Sequence, residues 1–202
     1  MAGRSDRRTG TLTSKPDLRA AALARRDALP AAFRIAASGE AAARAEAVLA
    51  EISPKVVSAY WPVRSEADPR PLLAAACLAG AEIALPVLVD AVTMRFRRFE
   101  ASMSLVPAGF GTYGPPETAP EVVPDLMIVP LAAFDRRLNR IGYGKGHFDR
   151  AVAALVDAGR PPVLLGLAFA AQEVEKISAE PHDIALDFLV TERELIRGPS
   201  HR

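Results

Sequence analysis

The sequence predicts a single three-layer α/β domain, a mostly parallel central sheet flanked by helices on both faces. Short runs such as 126–129 (LMIV) and 163–169 (VLLGLAF) are apolar throughout, as strands covered on both faces must be. These runs alternate with alanine-rich segments of helical length. The 202 residues, 50% hydrophobic and 24% charged, suffice for one core that needs no covalent staple. The one cysteine, Cys77, excludes an internal disulfide and a thiolate metal cluster.

In chain order, residues 1–14 are polar and basic (Arg4, Arg7, Arg8) and carry no apolar core. They are expected as a disordered arm rather than a secretion signal. Residues 17–29 and 33–50 are alanine-rich, with charges spaced for a solvated face, and predict two helices separated by Pro30, the second capped locally by Ser38. Residues 55–61 (KVVSAYW), β-branched and aromatic, predict a buried strand. Residues 68–79 form a helix that tolerates Pro69 and Pro71 in its first turn and ends at Gly80. A strand over 82–88 is edged by Pro86. Residues 94–99 (MRFRRF) alternate apolar and basic, as a half-exposed strand does.

Eight prolines and glycines between 107 and 124 predict a long loop, ordered or lid-like. A glycine-punctuated loop follows over 130–146, then a helix over 147–158 ended by Gly159, and strands over 163–169 and 188–191. The domain is expected over 15–196 with a disordered tail over 197–202. Cys77 reads as a buried small hydrophobe, Met94, Phe96 and Phe99 as core or pocket wall, and Arg97 and Arg98 as solvated.

The formal net charge is +1, from 25 basic and 24 acidic side chains. That balance, without interleaved aromatic and basic patches, argues against a nucleic-acid partner. No apolar run reaches the roughly 20 residues of a membrane span. The expected protein is a cytoplasmic monomer whose partners are small molecules.

Parallel sheets bind ligands beyond the carboxyl ends of their strands. The most informative stretch, 140–150 (RIGYGKGHFDR), leaves a strand region and opens a helix. Gly142, Gly144 and Gly146 let backbone amides approach an anion, and the helix start adds unpaired N–H groups and a positive dipole end. Lys145 can reach over a phosphate, Arg140 offers a bidentate fork, and Asp149 a hard oxygen for Mg²⁺. The common P-loop spacing fails because His147 and Phe148 follow Gly146, and the dinucleotide spacing fails because the third glycine comes too early. The same residues also read as a tight strand–helix turn with exposed basic side chains. Lys15 and Arg19 also read as a solvated helix face, Glu66 as a carboxylate at a helix start, Trp61 as core, and His182-Asp183 as a surface turn.

Residues 129–150 resemble the signature of the 5-formyltetrahydrofolate cyclo-ligases, also called methenyltetrahydrofolate synthetases. The features are a strand, Pro130, a small apolar stretch, Phe134-Asp135, then Arg140 to Gly146 and an aromatic pair position before Asp149. Lys15 and Arg19 resemble the family's N-terminal pair that contacts ATP. Ser65-Glu66-Ala67-Asp68 resembles the segment whose glutamate meets the folate. Gly114 to Glu117 resembles a mid-chain turn, and Gly166 to Phe169, Gln172, His182-Asp183 and Val190 to Glu192 resemble the C-terminal block. The likeness spans about residues 15–192. The chain departs from it at Leu131-Ala132 (Gly-Leu in the family), Leu138 (glycine), His147-Phe148 (paired tyrosines) and Pro69 (threonine).

The resemblance implies ATP- and Mg²⁺-dependent closure of 5-formyltetrahydrofolate to 5,10-methenyltetrahydrofolate. It implies ATP contacts from Lys15, Arg19, Arg140, Ile141, Gly142, Tyr143, Gly144, Lys145, Gly146, His147 and Phe148, with Arg140 and Lys145 catalytic. It implies folate contacts from Trp61, Glu66 and Tyr143, and Mg²⁺ ligation by Asp149 and Asp183. The alternatives are a non-catalytic relative that binds folate or nucleotide, motivated by the departures, and a sugar-phosphate isomerase, for which the sequence shows no identifiable carboxylate base.

Overall fold

A computed structural model describes residues 14–109, 111–180 and 183–199. The arm expected over 1–14 lies outside these residues except for Ser14, as do His182 and positions 200–202 of the expected tail. The elements are α1 (Lys15–Asp27), α2 (Ala31–Ile52), β1 (Val56–Ala59), α3 (Arg70–Leu78), β2 (Glu82–Leu88), β3 (Met94–Arg98), β4 (Val106–Pro107), β5 (Tyr113–Gly114), β6 (Leu126–Val129), β7 (Ala133–Phe134), β8 (Arg140–Ile141), α4 (His147–Asp157), β9 (Val163–Leu167), β10 (Phe188–Val190) and β11 (Leu195–Arg197).

Seven strands form one sheet in the order β11-β10-β9-β6-β1-β2-β3. The pairings from β10 through β2 are parallel, and β11 and β3 close the two edges antiparallel. Side chains alternate across this sheet, so the uniformly apolar strands feed two cores. Val57, Ala59, Leu126, Ile128, Leu165 and Phe188 pack with α2 and α3 through Ala41, Ala45, Val48, Leu72 and Leu73. Met127, Val129, Leu164 and Leu189 face the other way, onto Ala151 and Val152 of α4 and onto Phe134 and Leu138. This is the three-layer architecture expected. No described helix is long and apolar enough to cross a membrane.

Helix α1 begins at Ser14, whose Oγ accepts the Asp17 N–H at 3.3 Å. It lies against a third cluster, Leu18 and Ala22 packing on Ala133, Ile141, Val174 and Ile177. Its support is therefore the β7–β8 hairpin, which emerges from the carboxyl end of β6.

Several expectations are corrected. Ser38 does not cap α2, which starts after Pro30; it is buried mid-helix, and its Oγ accepts the Asp68 N–H at 3.0 Å. Cys77 is exposed, because α3 turns Leu72, Leu73 and Ala76 inward and leaves Cys77 off that stripe. The 107–124 stretch holds the β4–β5 hairpin and is tied to β3 by Arg98 N–H to Pro120 O and Val122 N–H to Phe96 O, each 2.9 Å, which favours its ordered reading over the lid-like one. The 130–146 stretch holds the β7–β8 hairpin. Arg98 is not simply solvated but forms a fork onto Glu82 at 2.7 and 2.9 Å. Arg197, at the start of the expected tail, pairs with Phe188 in β11.

The turn between β7 and β8 is organised by Asp135. This fully buried carboxylate accepts the N–H groups of Arg137, Asn139 and Ile177 and the Asn139 amide. Inside that turn Leu138 has φ +67, the left-handed conformation in which a side chain costs about 1–2 kcal/mol. This accounts for the glycine at that place in the resembled signature. Leu138 is nevertheless buried in the second core, and that burial offsets the strain.

Leu138→Gly therefore relieves the backbone but empties a core position. Its expected net effect is a loss of about 1–3 kcal/mol, read by urea denaturation, because a truncated core leucine costs about 2–5 kcal/mol. A stabilised variant would show that the left-handed strain outweighs the packing.

Candidate functional site

Beyond β8 the chain runs through 142–146 into α4. Gly144 and Gly146 have φ +86 and +64, values that a side chain would strain, and Gly146 is the cap residue of α4. No side chain caps this helix, so the N–H groups of its first turn keep their positive end toward the loop. A Cβ at Gly142 would meet nothing within 4 Å, and one at Gly144 would lie 3.6 Å from the Arg19 guanidinium. The loop is thus a bare amide surface with a cation over it.

Helix α1 supplies that cation. Lys15, Arg19 and Arg26 are separated by four and seven residues, which places them on one helix face. Arg19 Nε donates to Gly142 O at 2.7 Å. Lys15 Nζ meets Asp183 Oδ2 at 2.6 Å and Glu180 Oε2 at 3.0 Å. Partial burial pulls the Lys15 ammonium down, but the hydrogen bonds and charges of Asp183 and Glu180 outweigh it and hold its pKa above the ordinary value.

The third cation, Arg26, is only 3% exposed. Its Nε donates to Ser65 Oγ at 3.0 Å, its Nη1 donates to the Tyr143 hydroxyl, and its guanidinium carbon lies 5.8 Å from the Tyr143 ring centroid. The Tyr143 hydroxyl also faces Glu66, whose Oε2 accepts the Val63 N–H at 2.9 Å. Burial pushes the Glu66 carboxyl above its usual range, opposed by Tyr143, the Val63 N–H and the charges of Arg26 and Arg64. Burial and the Glu66 charge raise the Tyr143 hydroxyl as well, so it remains protonated and donating. The β1–α3 loop that carries Glu66 is fixed by Tyr60 Oη to Ala67 O at 2.6 Å.

The remaining expected residues divide. Arg140 is buried, with Nη2 on Asp149 Oδ1 at 2.7 Å and Nη1 on Ile184 O. Lys145 is exposed at the loop tip. His147 Nδ1 lies 2.9 Å from Arg150 Nη2, and Arg150 also reaches Lys145 O and Val92 O, bringing the β2–β3 turn to the start of α4. Ile141 lies beneath α1, and Phe148 packs on the second core. Trp61 sits with the first core, edge-on to Phe99 at 5.8 Å and 5.4 Å from the Arg70 guanidinium. Asp149 and Asp183 each neutralise a cation, and no group of three or more His, Cys, Asp or Glu among the described residues is arranged for a metal. The structure thus joins Lys15, Arg19, Tyr143 and Glu66 around α1. Sequence reasoning missed Arg26, whose signal was its place on the Lys15–Arg19 face.

Comparison with known proteins places the chain in a family. The sequence profile of the 5-formyltetrahydrofolate cyclo-ligase family matches residues 11–192. A 5-formyltetrahydrofolate cyclo-ligase of Mycolicibacterium smegmatis is 33% identical over 190 residues, 88% of this chain and 93% of the relative. That of Escherichia coli K12 is 32% identical over 141 residues, 67% of this chain and 76% of the relative. The solved structure of Aquifex aeolicus 5,10-methenyltetrahydrofolate synthetase superposes with TM-score 0.78 at 28% identity, covering 93% of this chain and 94% of that one.

Two outcomes follow from the site's geometry. Arg140→Ala strands Asp149 and the Ile184 carbonyl and should cost about 2 kcal/mol or more, whereas Lys145→Ala should stay within about 0.5 kcal/mol of the parent. Matched urea titrations check both, and equal effects would reverse the distinction between a brace and a surface cation. His147 is depressed below its ordinary value of 6.5 by burial and then by the Arg150 charge, so the native state resists its protonation. The stability this gives is present above that value and declines as pH falls through the lower native pKa. Thermal melts of His147→Phe should accordingly be flatter than the parent's between about pH 7 and 5, and identical slopes would exclude a depressed histidine.

Proposed function

The chain belongs to the 5-formyltetrahydrofolate cyclo-ligase family of enzymes, and from that premise we propose that it closes 5-formyltetrahydrofolate to 5,10-methenyltetrahydrofolate with ATP and Mg²⁺. The observation that carries the reading is the junction at Tyr143. The residue is part of the bare-amide loop, shares Arg26 with the Ser65–Glu66 segment and faces Glu66, so one side chain lies between a phosphate cradle and a carboxylate suited to the folate's ring N–H groups.

The chemical difficulty is the formyl oxygen, a poor leaving group. Transfer of the γ-phosphoryl group to that oxygen leaves ADP. Attack of N10 on the formyl carbon, with loss of the N10 proton, then breaks the carbon–oxygen bond and releases orthophosphate. The protein has little covalent work to do; it aligns groups and neutralises charge. The amides of 142–146, with those opening α4 at His147 and Phe148, hold the phosphates; Ile141 anchors the loop beneath α1. Lys15, Arg19, Arg140 and Lys145 supply positive charge as it develops. Glu66, Tyr143 and Trp61 are assigned to the folate.

Mg²⁺ would screen the phosphate charge and orient the transferring group. The oxygen donors of Asp149 and Asp183 suit such an ion, which is commonly held by one or two carboxylates plus phosphates and water. Each carboxylate now faces a cation, so metal affinity would be set in competition with Arg140 and Lys15.

The assay follows the methenyl absorbance band on mixing pure protein, 5-formyltetrahydrofolate and Mg-ATP. The expected result is a band that grows only with ATP, and folded protein without it overturns the proposal. Calorimetric nucleotide binding without turnover would instead favour a non-catalytic binder. Lys145→Ala should lower turnover on the order of 10²-fold, the usual cost of one positioned charge-stabilising group. Unchanged turnover would remove Lys145 from the phosphate site.

A further inference from the structure

The described contacts contain one group that the proposed chemistry does not use. Arg26 is a guanidinium buried to 3% exposure, held on α1 and aimed away from solvent. A side chain of this kind is seldom buried without a partner that needs it. Besides Asp27, its neighbour in α1 at 3.6 Å, its partners belong to two different loops. Nε donates to Ser65, the residue before Glu66, and Nη1 donates to Tyr143 of the glycine loop. Ser65 passes its own hydroxyl hydrogen on to Asp27, so the Arg26 contact on Ser65 is fixed from both sides. The Tyr143 hydroxyl, held by Arg26, also faces Glu66 and favours its ionised form.

From this geometry we propose that Arg26 is a positioning residue for the folate site: it acts through Ser65 and Tyr143 to hold the Glu66 carboxylate in place and to tie that carboxylate to the loop that receives the nucleotide. The inference rests on the functional reading above, in which Glu66 faces the folate and 142–146 the phosphates. The planar fork of arginine suits the task, since one rigid head reaches two acceptors on separate segments. A lysine could carry the charge but not both bonds in the same geometry.

The groups facing Glu66 are Arg26 from α1, Arg64 from its own loop, Tyr143 from the glycine loop and Tyr60 from the end of β1. Arg26 and Arg64 favour the ionised carboxylate, whereas burial opposes it. Removing Arg26 therefore leaves Glu66 protonated to higher pH and loosely aimed.

The test uses the full chain with Arg26→Met, Arg26→Lys and Tyr143→Phe. For Arg26→Met the expected results are a KM for 5-formyltetrahydrofolate raised about tenfold or more, Mg-ATP affinity measured without folate lowered by a clearly smaller factor, and an acid limb of kcat/KM displaced to higher pH. Arg26→Lys keeps the charge, so it should restore the acid limb but not the KM. Tyr143→Phe removes only the hydroxyl relay and should reproduce both the raised KM and the displaced limb, which decides the matter should Arg26→Met fail to fold. A folded Arg26→Met or a Tyr143→Phe variant with the parent's folate KM and pH profile overturns the inference. Calorimetric binding of 5-formyltetrahydrofolate alone separates the two levels. An inactive parent rejects the underlying reading, while equal folate affinity in parent and Arg26→Met rejects the positioning role whether or not turnover occurs.

Discussion

The site depends on how a loop without side-chain packing is kept in shape. Residues 142–146 expose amides because three of them are glycines, two at positive φ, and among the described residues the only side chains over those glycines are the guanidinium groups of Arg19 and Arg150. Their order is imposed from outside. Arg19 clamps Gly142 O, Arg26 holds the Tyr143 hydroxyl, and Arg150 bonds Lys145 O from the helix that follows. Helix α1 can act as this brace because Leu18 and Ala22 seat it on the β7–β8 hairpin, and Asp135 fixes the turn of that hairpin. A buried carboxylate, a short hairpin, an apolar helix stripe and two guanidinium groups thus form one sequence of support.

The cations expected to greet phosphate are already paired. Lys15 is held by Asp183 and Glu180, and Arg140 by Asp149. Such pairing relieves the cost of keeping charge partly out of water. It also means that the backbone amides and the α4 dipole, rather than surplus side-chain charge, set the basal attraction for an anion. The near-zero net charge of the chain agrees with a site whose electrostatics are local.

Much of the layering was legible in the sequence because it rests on period. Residues 126–129 and 163–167 are apolar at every position, and the structure shows why: alternate side chains feed opposite cores. Two-residue ladders carry no period, so β4, β5, β7 and β8 escaped notice, and β11 straddles the expected start of the tail. Ser38 looked like a cap, yet its hydroxyl serves a loop 30 residues away. Leu138 announced nothing of its left-handed backbone; only the resembled signature's glycine pointed to it. The glycine loop stood out because three alternating glycines open a helix, although that spacing also suits a tight turn and its phosphate role rests on the resemblance. Arg26 was not, since an arginine among alanines reads as solvated until the facing loop is known. Trp61 was placed by sequence near the folate, and its described ring contacts are Phe99 and Arg70.

The two edges of the sheet have a consequence for behaviour at high concentration. An exposed, regular strand edge is a template for another chain's backbone. Here one rim, β3, is shielded where the 120–122 segment runs beside it, with Glu121 bridging Arg97, and the other rim, β11, offers only three residues. Neither rim presents a long free ladder, so intermolecular strand addition has little to start from, and crowding should leave the sheet closed to its own copies.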